Sequence, residues 1–208
     1  MLKHCVILNG PPGSGKDTLA DLMTDLSYPV WHKHQFKERL YIDTALNFDM
    51  DVYVFMKLAQ NRETKEIPHP LLMDGDTILS PREALIHTSE TLIKPNHGSD
   101  YFGKAAAEAC LKANSKYAVF ADGGFGEEVT PLLDIYERVD VIHLYREGFS
   151  FEGDSRNYID QFPDLVSRVT VIEGNEQHTL GKILEVIREP QSHQSTQAEV
   201  LAPLLAYR

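Results

Sequence analysis

The sequence predicts an α/β protein with a mostly parallel, five-stranded sheet. Short apolar runs such as 5–8 and 117–121 are typical of strands that are buried on both faces. Between such runs, apolar residues recur at helical spacing, as Leu19, Met23 and Leu26 do after the first run. Strands that alternate with helices favour parallel pairing in three layers, with helices on both faces of the sheet. The five predicted strands are 5–8, 28–31, 117–122, 139–145 and 169–172.

A glycine-rich stretch at 10–16 links the first predicted strand to the first predicted helix. Gly10, Gly15 and Lys16 match the spacing G-x-x-x-x-G-K. Glycines let a backbone curl until its N–H groups point inward at an anion, and the helix that begins near Lys16 adds the positive end of its dipole. We therefore expect a phosphate loop whose lysine contacts the β- and γ-phosphates of a nucleotide. The plainer interpretation, a turn with a chance lysine, does not explain the strand and helix on either side.

The residue after Lys16 is Asp17, where a phosphate loop usually carries the serine or threonine that contacts Mg²⁺, and Thr18 follows it. Asp17 is a candidate for binding Mg²⁺ through water. An acidic residue is also favoured in the first turn of any helix, so both interpretations stay open. The residues predicted to bind ATP and its Mg²⁺ here are Gly10, Gly13, Ser14, Gly15, Lys16, Asp17 and Thr18.

Length, charge and cysteine content narrow the class of protein. A chain of 208 residues suits one domain, placed at 1–189, with a tail at 190–208 that is expected to be partly disordered or a short helix. The net charge of -11 disfavours broad nonspecific binding to nucleic acid, although a local basic groove is compatible with it. Cys5 and Cys110 fall in a predicted strand and helix, so we expect no disulfide and a reducing, cytoplasmic location. No apolar run is long enough for a signal peptide or a membrane span.

A basic segment at 32–39 follows the second predicted strand. Ligands of open α/β sheets bind outside the carboxyl ends of the strands. Lys33, Lys37 and Arg39 are therefore candidates for holding the phosphate of an acceptor. The alternative is the solvated face of a helix, which we expect to hold for at least one of the three.

Three helices are predicted over the middle of the chain. Helical periodicity covers 52–59, and a polar, proline-containing loop follows it. Ser80 and Glu83 form the signature of a capping box, so a helix is predicted from there to about residue 92. A further helix over 100–113 carries one apolar stripe, which indicates core packing and not a cofactor site.

Asp122 ends the second strong strand and is followed by two glycines. An aspartate at the end of a buried strand, in a protein with a phosphate loop, commonly orients Mg²⁺ or its waters. We predict this metal role for Asp122, and the alternative is a turn or helix-cap residue.

Arg146 follows the strand at 139–145 and precedes a polar segment with two glycines. We predict that residues 147–157 form a mobile lid that closes over the phosphates and excludes water. Arg146 and Arg156, at the two ends of this lid, are candidates for neutralising charge on the transferring phosphoryl group. For Arg156, a plain solubilising surface arginine is the alternative.

The order of these features resembles bacteriophage deoxynucleoside monophosphate kinases and their relatives among the P-loop kinases. The loop pattern G-x-P-G-x-G-K-x-T is specific for that superfamily. Each later motif is weak by itself, and the resemblance rests on the order in which they occur. The matching pieces span most of the chain: 13–18 (GSGKDT), 36–40 (FKERL), 65–68 (KEIP), 80–85 (SPREAL), 100–102 (DYF), 122–128 (DGGFGEE) and 144–146 (LYR). The resemblance implies a P-loop kinase fold, ATP and Mg²⁺ as cofactors, a deoxynucleoside monophosphate as acceptor with Arg82 among the residues that hold it, and the host cytoplasm if the chain is viral.

Two departures from this family concern the acceptor. The family carries an arginine where this chain has Gly124, and a His-x-Ser-Glu element where this chain has 154–157 (DSRN). Some phage relatives phosphorylate the hydroxymethyl group of 5-hydroxymethyluracil in DNA, which requires a general base for a hydroxyl. Asp122, Asp17 and Glu38 are candidate bases for that reaction. Modified DNA is therefore the alternative acceptor.

A nucleotide-binding regulatory protein that hydrolyses its nucleotide slowly is a third interpretation. It requires a water-positioning residue and switch segments, and the sequence has no signature for either. The prediction is an enzyme that moves the γ-phosphoryl group of ATP to a deoxynucleotide-type acceptor, with a free mononucleotide favoured over DNA by the acidic net charge.

Overall fold

The computed structural model describes residues 2–154 and 156–189. These residues form two compact units, each described by itself. The first unit contains residues 2–33, 115–126, 136–154 and 156–189, and the second contains residues 34–114 and 127–135. The predicted tail at 190–208 lies outside the described residues.

The strands are β1 (Leu2–Asn9), β2 (His32–His34), β3 (Met73–Asp74), β4 (Thr77–Ile78), β5 (Tyr117–Phe120), β6 (Tyr136–Tyr145) and β7 (Val166–Thr170). The helices are α1 (Lys16–Thr24), α2 (Lys37–Asn47), α3 (Val52–Gln60), α4 (Pro81–Ile86), α5 (Lys94–His97), α6 (Tyr101–Lys112), α7 (Thr130–Leu133) and α8 (Glu176–Val186). A π-helical segment covers His87–Ile93, and short 3₁₀ turns cover Gly126–Glu128 and Pro163–Leu165.

A five-stranded sheet in the order β2-β5-β1-β6-β7 organises the first unit. β1 pairs in parallel with β5 on one side and with β6 on the other, and β6 pairs in parallel with β7. Helices flank this sheet, so the predicted α/β fold class is confirmed. Because the three central strands run in the same direction, the residues that follow β5, β1 and β6 share one edge of the sheet.

The core of the first unit contains both the strand before the glycine loop and the helix after it. Side chains alternate along each strand, so every second residue faces the same side. On one side, buried residues in or directly after four strands pack against α1 and α8. The strand side contributes Val6, Leu8, Val119, Ala121, Ile142, Leu144, Val169 and Val171, and the helices contribute Leu19, Met23, Leu180 and Ile183. The strand before the loop and the helix after it are thus anchored in one core.

The second unit is mainly helical. Its core is made by buried residues of α2, α3 and α4 and of the loop before α4, among them Tyr41, Phe55, Leu72 and Ala84. The ring of Tyr41 lies 6.5 Å from that of Phe55 in an edge-to-face arrangement. Within the loop predicted at 61–79, strands β3 and β4 form a short antiparallel hairpin.

The capping box at Ser80 is present as predicted. Ser80 Oγ accepts from the backbone N–H of Glu83 at 3.3 Å, and the Glu83 carboxylate accepts from the backbone N–H of Ser80 at 2.7 Å. The helix that follows differs from the prediction, because its α-helical part ends at Ile86 and a π-helical segment continues to Ile93. The predicted single helix is therefore divided into two geometries.

Two predicted strands lie a few residues from their expected positions. The second strand is His32–His34, not 28–31, and Pro29 cannot donate a ladder hydrogen bond within the predicted run. The last strand is Val166–Thr170, where Ser167 and Arg168 interrupt the apolar pattern. Polar residues are tolerated in β7 because it is an edge strand of the sheet.

No helix within the described residues combines the length and the apolar character that crossing a bilayer requires.

Candidate phosphate-binding site

The loop between β1 and α1 has the conformation that its glycines predict. Gly13 and Gly15 have φ values of 83° and 87°, in the left-handed region that side chains other than glycine avoid. Gly15 directly precedes α1, and no side chain caps that end of the helix. The first N–H groups of α1 are therefore not used by a capping side chain, and an anion at this end would meet the positive end of the helix dipole.

Lys16 folds back over the loop from which it projects. Its ammonium donates to the carbonyl oxygens of Gly10 at 2.6 Å and Pro11 at 2.7 Å, and lies 3.4 Å from Ser14 Oγ. Lys16 is 7% exposed and Ser14 is fully buried. The loop thus holds one positive charge at the start of a helix, which is the arrangement that a phosphate group requires.

Arg146 is brought against the same loop from the end of β6. Its Nη1 donates to the carbonyl oxygen of Gly13 at 2.8 Å, and its Nη2 lies 2.9 Å from the carboxylate of Glu173. The guanidinium also lies over the ring of Phe149, at 4.6 Å from the ring centre. A methyl group placed on Gly13 would come within 2.3 Å of that ring, so Gly13 permits the close approach.

Asn9, the last residue of β1, was not identified from the sequence. It is fully buried, and its Nδ2 donates to the carbonyl oxygens of Gly123 at 3.2 Å and Asn157 at 3.1 Å. Its Oδ1 accepts from the backbone N–H of Ile159 at 2.9 Å. One side chain therefore joins the start of the phosphate loop to the segments after β5 and β6. The signal in the sequence is a polar residue that ends a strand otherwise buried on both faces.

Asp122 lies two residues beyond β5, the neighbour of β1, and is half-buried. Its carboxylate is thus at the same edge of the sheet as the phosphate loop. Asp17 and Thr18, the other candidate metal ligands, are exposed in the first turn of α1. In the part of the chain that the structure describes, no three His, Cys, Asp or Glu side chains converge as a metal cage. This donor set fits Mg²⁺, which usually takes one or two protein carboxylates together with waters and phosphate oxygens.

Lys33 in β2 contacts α1. Its ammonium lies 2.8 Å from the carboxylate of Asp21 and 3.3 Å from that of Asp17. Burial lowers the pKa of Lys33, but the hydrogen bonds and charges of these two carboxylates outweigh burial and raise it overall. The role of Lys33 toward an acceptor stays a prediction, and Asp17 has a cationic neighbour in this structure.

The other three predicted acceptor residues belong to the second unit. Lys37 Nζ lies 5.9 Å from the centre of the Tyr41 ring. Arg39 Nε donates to Asp43 at 2.8 Å, and its guanidinium lies over the ring of Tyr101. Arg82 Nη1 donates to Glu66 at 3.2 Å. Their roles toward an acceptor stay predictions.

The predicted lid is anchored at both of its ends. Arg146 holds the first end to Gly13, and the hydrogen bonds from Asn9 hold the second end at 157–159. At the second end, the hydroxyl of Tyr158 also donates to the carbonyl oxygen of Leu144 at 2.9 Å. Any closing motion is therefore expected in the part between these anchors.

Arg156 lies beside the segment that follows β5. Its Nε and Nη2 each donate to the carboxylate of Asp154 at 2.9 Å. A methyl group added to Gly124 would lie 2.6 to 2.7 Å from Cβ, Cγ and Cδ of Arg156. The arginine stem therefore covers the glycine.

The chain matches no protein-family model and no curated protein. Among solved structures it is similar to an unliganded sugar kinase from Janibacter sp. HTCC2649, with 14% identity, a TM-score of 0.42, and coverage of 89% of this chain and 94% of that one. It is also similar to dephospho-CoA kinase from Campylobacter jejuni, with 13% identity, a TM-score of 0.38, and coverage of 88% and 96%. At such low identity and TM-score, neither similarity indicates the activity of this chain.

Proposed function

We propose that this protein is an ATP-dependent phosphotransferase that moves the γ-phosphoryl group of ATP to a deoxynucleoside monophosphate. The observation that carries the proposal is the ammonium of Lys16, held inside the glycine loop at the start of α1. A loop of this kind binds phosphate through backbone N–H groups, a helix dipole and one mobile cation. The residues at the same edge of the sheet then decide which reaction follows.

In the proposed reaction, an oxygen of the acceptor's phosphate attacks the γ-phosphorus, and the bond to the β–γ bridging oxygen breaks. ADP leaves and a deoxynucleoside diphosphate forms. Lys16 and the loop N–H groups stabilise the charge that moves onto the β-phosphate. Arg146 is suited to a similar role beside the loop, because it already contacts Gly13.

Mg²⁺ bound with ATP would neutralise part of the charge on the phosphates. Asp122 is the carboxylate best placed to hold the ion or its waters, since it follows the strand next to β1. Asp17 and Thr18 are further candidates, although Asp17 lies near the ammonium of Lys33.

The acidic net charge supports a free mononucleotide as the acceptor, because contacts to phosphates dominate affinity for DNA and require a basic surface. In the sequence, the departures from the family pattern at Gly124 and 154–157 are the argument for the alternative acceptor, 5-hydroxymethyluracil in DNA. The stem of Arg156 over Gly124 is an argument against it, because it returns an arginine to that part of the site.

A transfer assay with labelled ATP distinguishes the acceptors. One set contains the common deoxynucleoside monophosphates and 5-hydroxymethyl-dUMP, and the other contains duplex DNA with 5-hydroxymethyluracil or with thymine only. We expect label on a free diphosphate. Label retained on the modified DNA, and absent from thymine DNA, would overturn the mononucleotide proposal, and that transfer should weaken steeply with added salt. ATP hydrolysis that no acceptor changes would point to the regulatory protein.

A further inference from the structure

Gly124 is a glycine for reasons of space and not of backbone conformation. The φ angle of Gly124 does not lie in the left-handed region, so φ gives no reason for a glycine at this position. The obstacle to a side chain is Arg156, whose Cβ, Cγ and Cδ would all lie within 2.7 Å of an added Cβ. The absence of a side chain at position 124 thus creates the place that the stem of Arg156 occupies.

Arg156 is held in this place from two directions. Asp154 accepts from its Nε and Nη2, and also from its backbone N–H at 2.9 Å. The next residue, Asn157, is joined through its carbonyl oxygen to Asn9, which also binds the carbonyl oxygen of Gly123. The bonds to Asp154 restrict the rotamers of the guanidinium, and the bond from Asn9 holds the backbone of the next residue. A restricted side chain loses less entropy when it binds a ligand.

The two arginines of the lid lie on opposite sides of β1. Arg146 follows β6 and contacts the phosphate loop itself. Arg156 lies over Gly124, which follows β5 and comes two residues after Asp122. Because β1 lies between β5 and β6, Arg146 is on the β6 side of the phosphate loop and Arg156 is on its β5 side. In the proposed function, the loop and Arg146 bind the phosphates of the donor, and the attacking group approaches the γ-phosphoryl group from the opposite side.

We infer that Arg156, placed by Gly124 and oriented by Asp154, binds the phosphate group of the acceptor. This inference rests on the proposed function and goes beyond it, because it names the residue that selects an acceptor with a phosphate monoester. Asp154 accepts from Nε and from one N–H of Nη2, so the edge formed by Nη1 and Nη2 is the one whose two parallel N–H groups match two oxygens of such a phosphate. A hydroxymethyl group offers no anion to this edge. Asp154 acts as a positioning residue, and the lack of a side chain at Gly124 leaves space for the stem of Arg156.

The first experiment measures KM for each reactant separately. We expect Arg156→Ala and Arg156→Lys to raise KM for the deoxynucleoside monophosphates about tenfold or more, as the loss of a charge-assisted pair predicts. KM for ATP should change less than about twofold. Lysine keeps the positive charge but lacks the two parallel N–H donors of the guanidinium. A high KM for the acceptor in Arg156→Lys therefore indicates a bidentate hydrogen bond and not a purely electrostatic contact. A matched control is Arg188→Ala, at an exposed arginine beyond α8.

The second experiment moves the arginine side chain from position 156 to position 124. Gly124→Arg alone should impair transfer, because its side chain displaces Arg156. The double variant Gly124→Arg with Arg156→Gly frees that space and restores an arginine at the same place. We expect it to have a KM for the acceptor about tenfold or more below that of Arg156→Gly alone.

The outcomes are separable. The inference is overturned if the Arg156 variants leave KM for the acceptor unchanged. It is also overturned if KM for ATP and KM for the acceptor rise equally and the melting temperature falls, because Arg156 and Asp154 are then a structural ion pair. The kinase assignment stands in both cases. A wild-type protein that forms no labelled diphosphate from any mononucleotide would overturn the proposed function and the inference with it.

Discussion

The side-chain amide of Asn9 donates to the carbonyl oxygen of Gly123 across two neighbouring strand ends, at 3.2 Å. The same amide nitrogen donates to Asn157. Asn9 immediately precedes the phosphate loop, and Gly123 immediately follows Asp122. This one residue therefore sets the relative positions of the loop, the candidate metal ligand and the second end of the lid.

Replacing Asn9 should impair both stability and activity. Asn9→Ala removes three hydrogen bonds, and each backbone group left buried without a partner costs about 1–3 kcal/mol. We expect a clear loss in the free energy of unfolding, measured by denaturant titration. Asn96→Ala, which removes an exposed and local hydrogen bond, is the control. Equal stability of the two variants would contradict the role given to Asn9.

Lys16 should matter for phosphoryl transfer far more than for folding. Electrostatic groups of this kind contribute roughly 3–4 kcal/mol to a catalysed step. Lys16→Ala should therefore keep the circular dichroism spectrum and lose about two or more decades of turnover. Lys112→Ala, at an exposed lysine in α6, is the control. Near-normal turnover in Lys16→Ala would remove the basis for the phosphate-loop assignment.

Asp122 should control the response to Mg²⁺. If its carboxylate orients the ion, Asp122→Asn should raise the Mg²⁺ concentration for half-maximal activity and lower the maximal rate. Glu127→Gln, at an exposed carboxylate of the same segment, is the matched control. An unchanged metal dependence would leave Asp122 as a turn residue or a general base.

The lid should be protected by ligands between its two anchors. Between the anchors, Gly148 and Gly153 have positive φ, and nothing lies within 4 Å of a Cβ added to either. Limited proteolysis between 147 and 153 should slow when ATP and the acceptor are both bound, because closure buries the backbone. Equal cleavage with and without ligands would indicate a plain surface loop.

Acid should weaken the fold partly through Asp140. Burial alone raises the pKa of Asp140, but its hydrogen bonds with His4 and Arg138 outweigh burial and place the pKa below the ordinary value. A carboxyl whose pKa is lower in the folded state stabilises the fold above the unfolded pKa of about 4, and this contribution is lost as pH falls through the folded pKa.

The measurement is the melting temperature against pH for the wild type and Asp140→Asn. We expect the difference between them to be largest near neutral pH and to narrow as pH falls below about 4. Asp134→Asn, at an exposed carboxylate, is the control and should change the pH profile less. A difference that stays constant over this range would contradict the linkage to Asp140.

Local features were predictable from the sequence because they are set by neighbours along the chain. The phosphate loop needs glycines at 13 and 15 to reach positive φ, and the capping box joins residues only three positions apart. The α/β class follows from apolar runs that alternate with helical periodicity, and these patterns are also local. The strand bounds shifted where proline or polar edge residues changed the pattern.

The fold class, the phosphate loop and its lysine were thus predictable from local sequence patterns, whereas the residues that meet the loop from distant parts of the chain depend on three-dimensional packing. Asn9 is hydrogen-bonded to three residues that lie 114, 148 and 150 positions further along the chain. These contacts, and the stem of Arg156 over Gly124, exist because β1 lies between β5 and β6 in the sheet. Strand order depends on packing over the whole chain, so no local pattern encodes it.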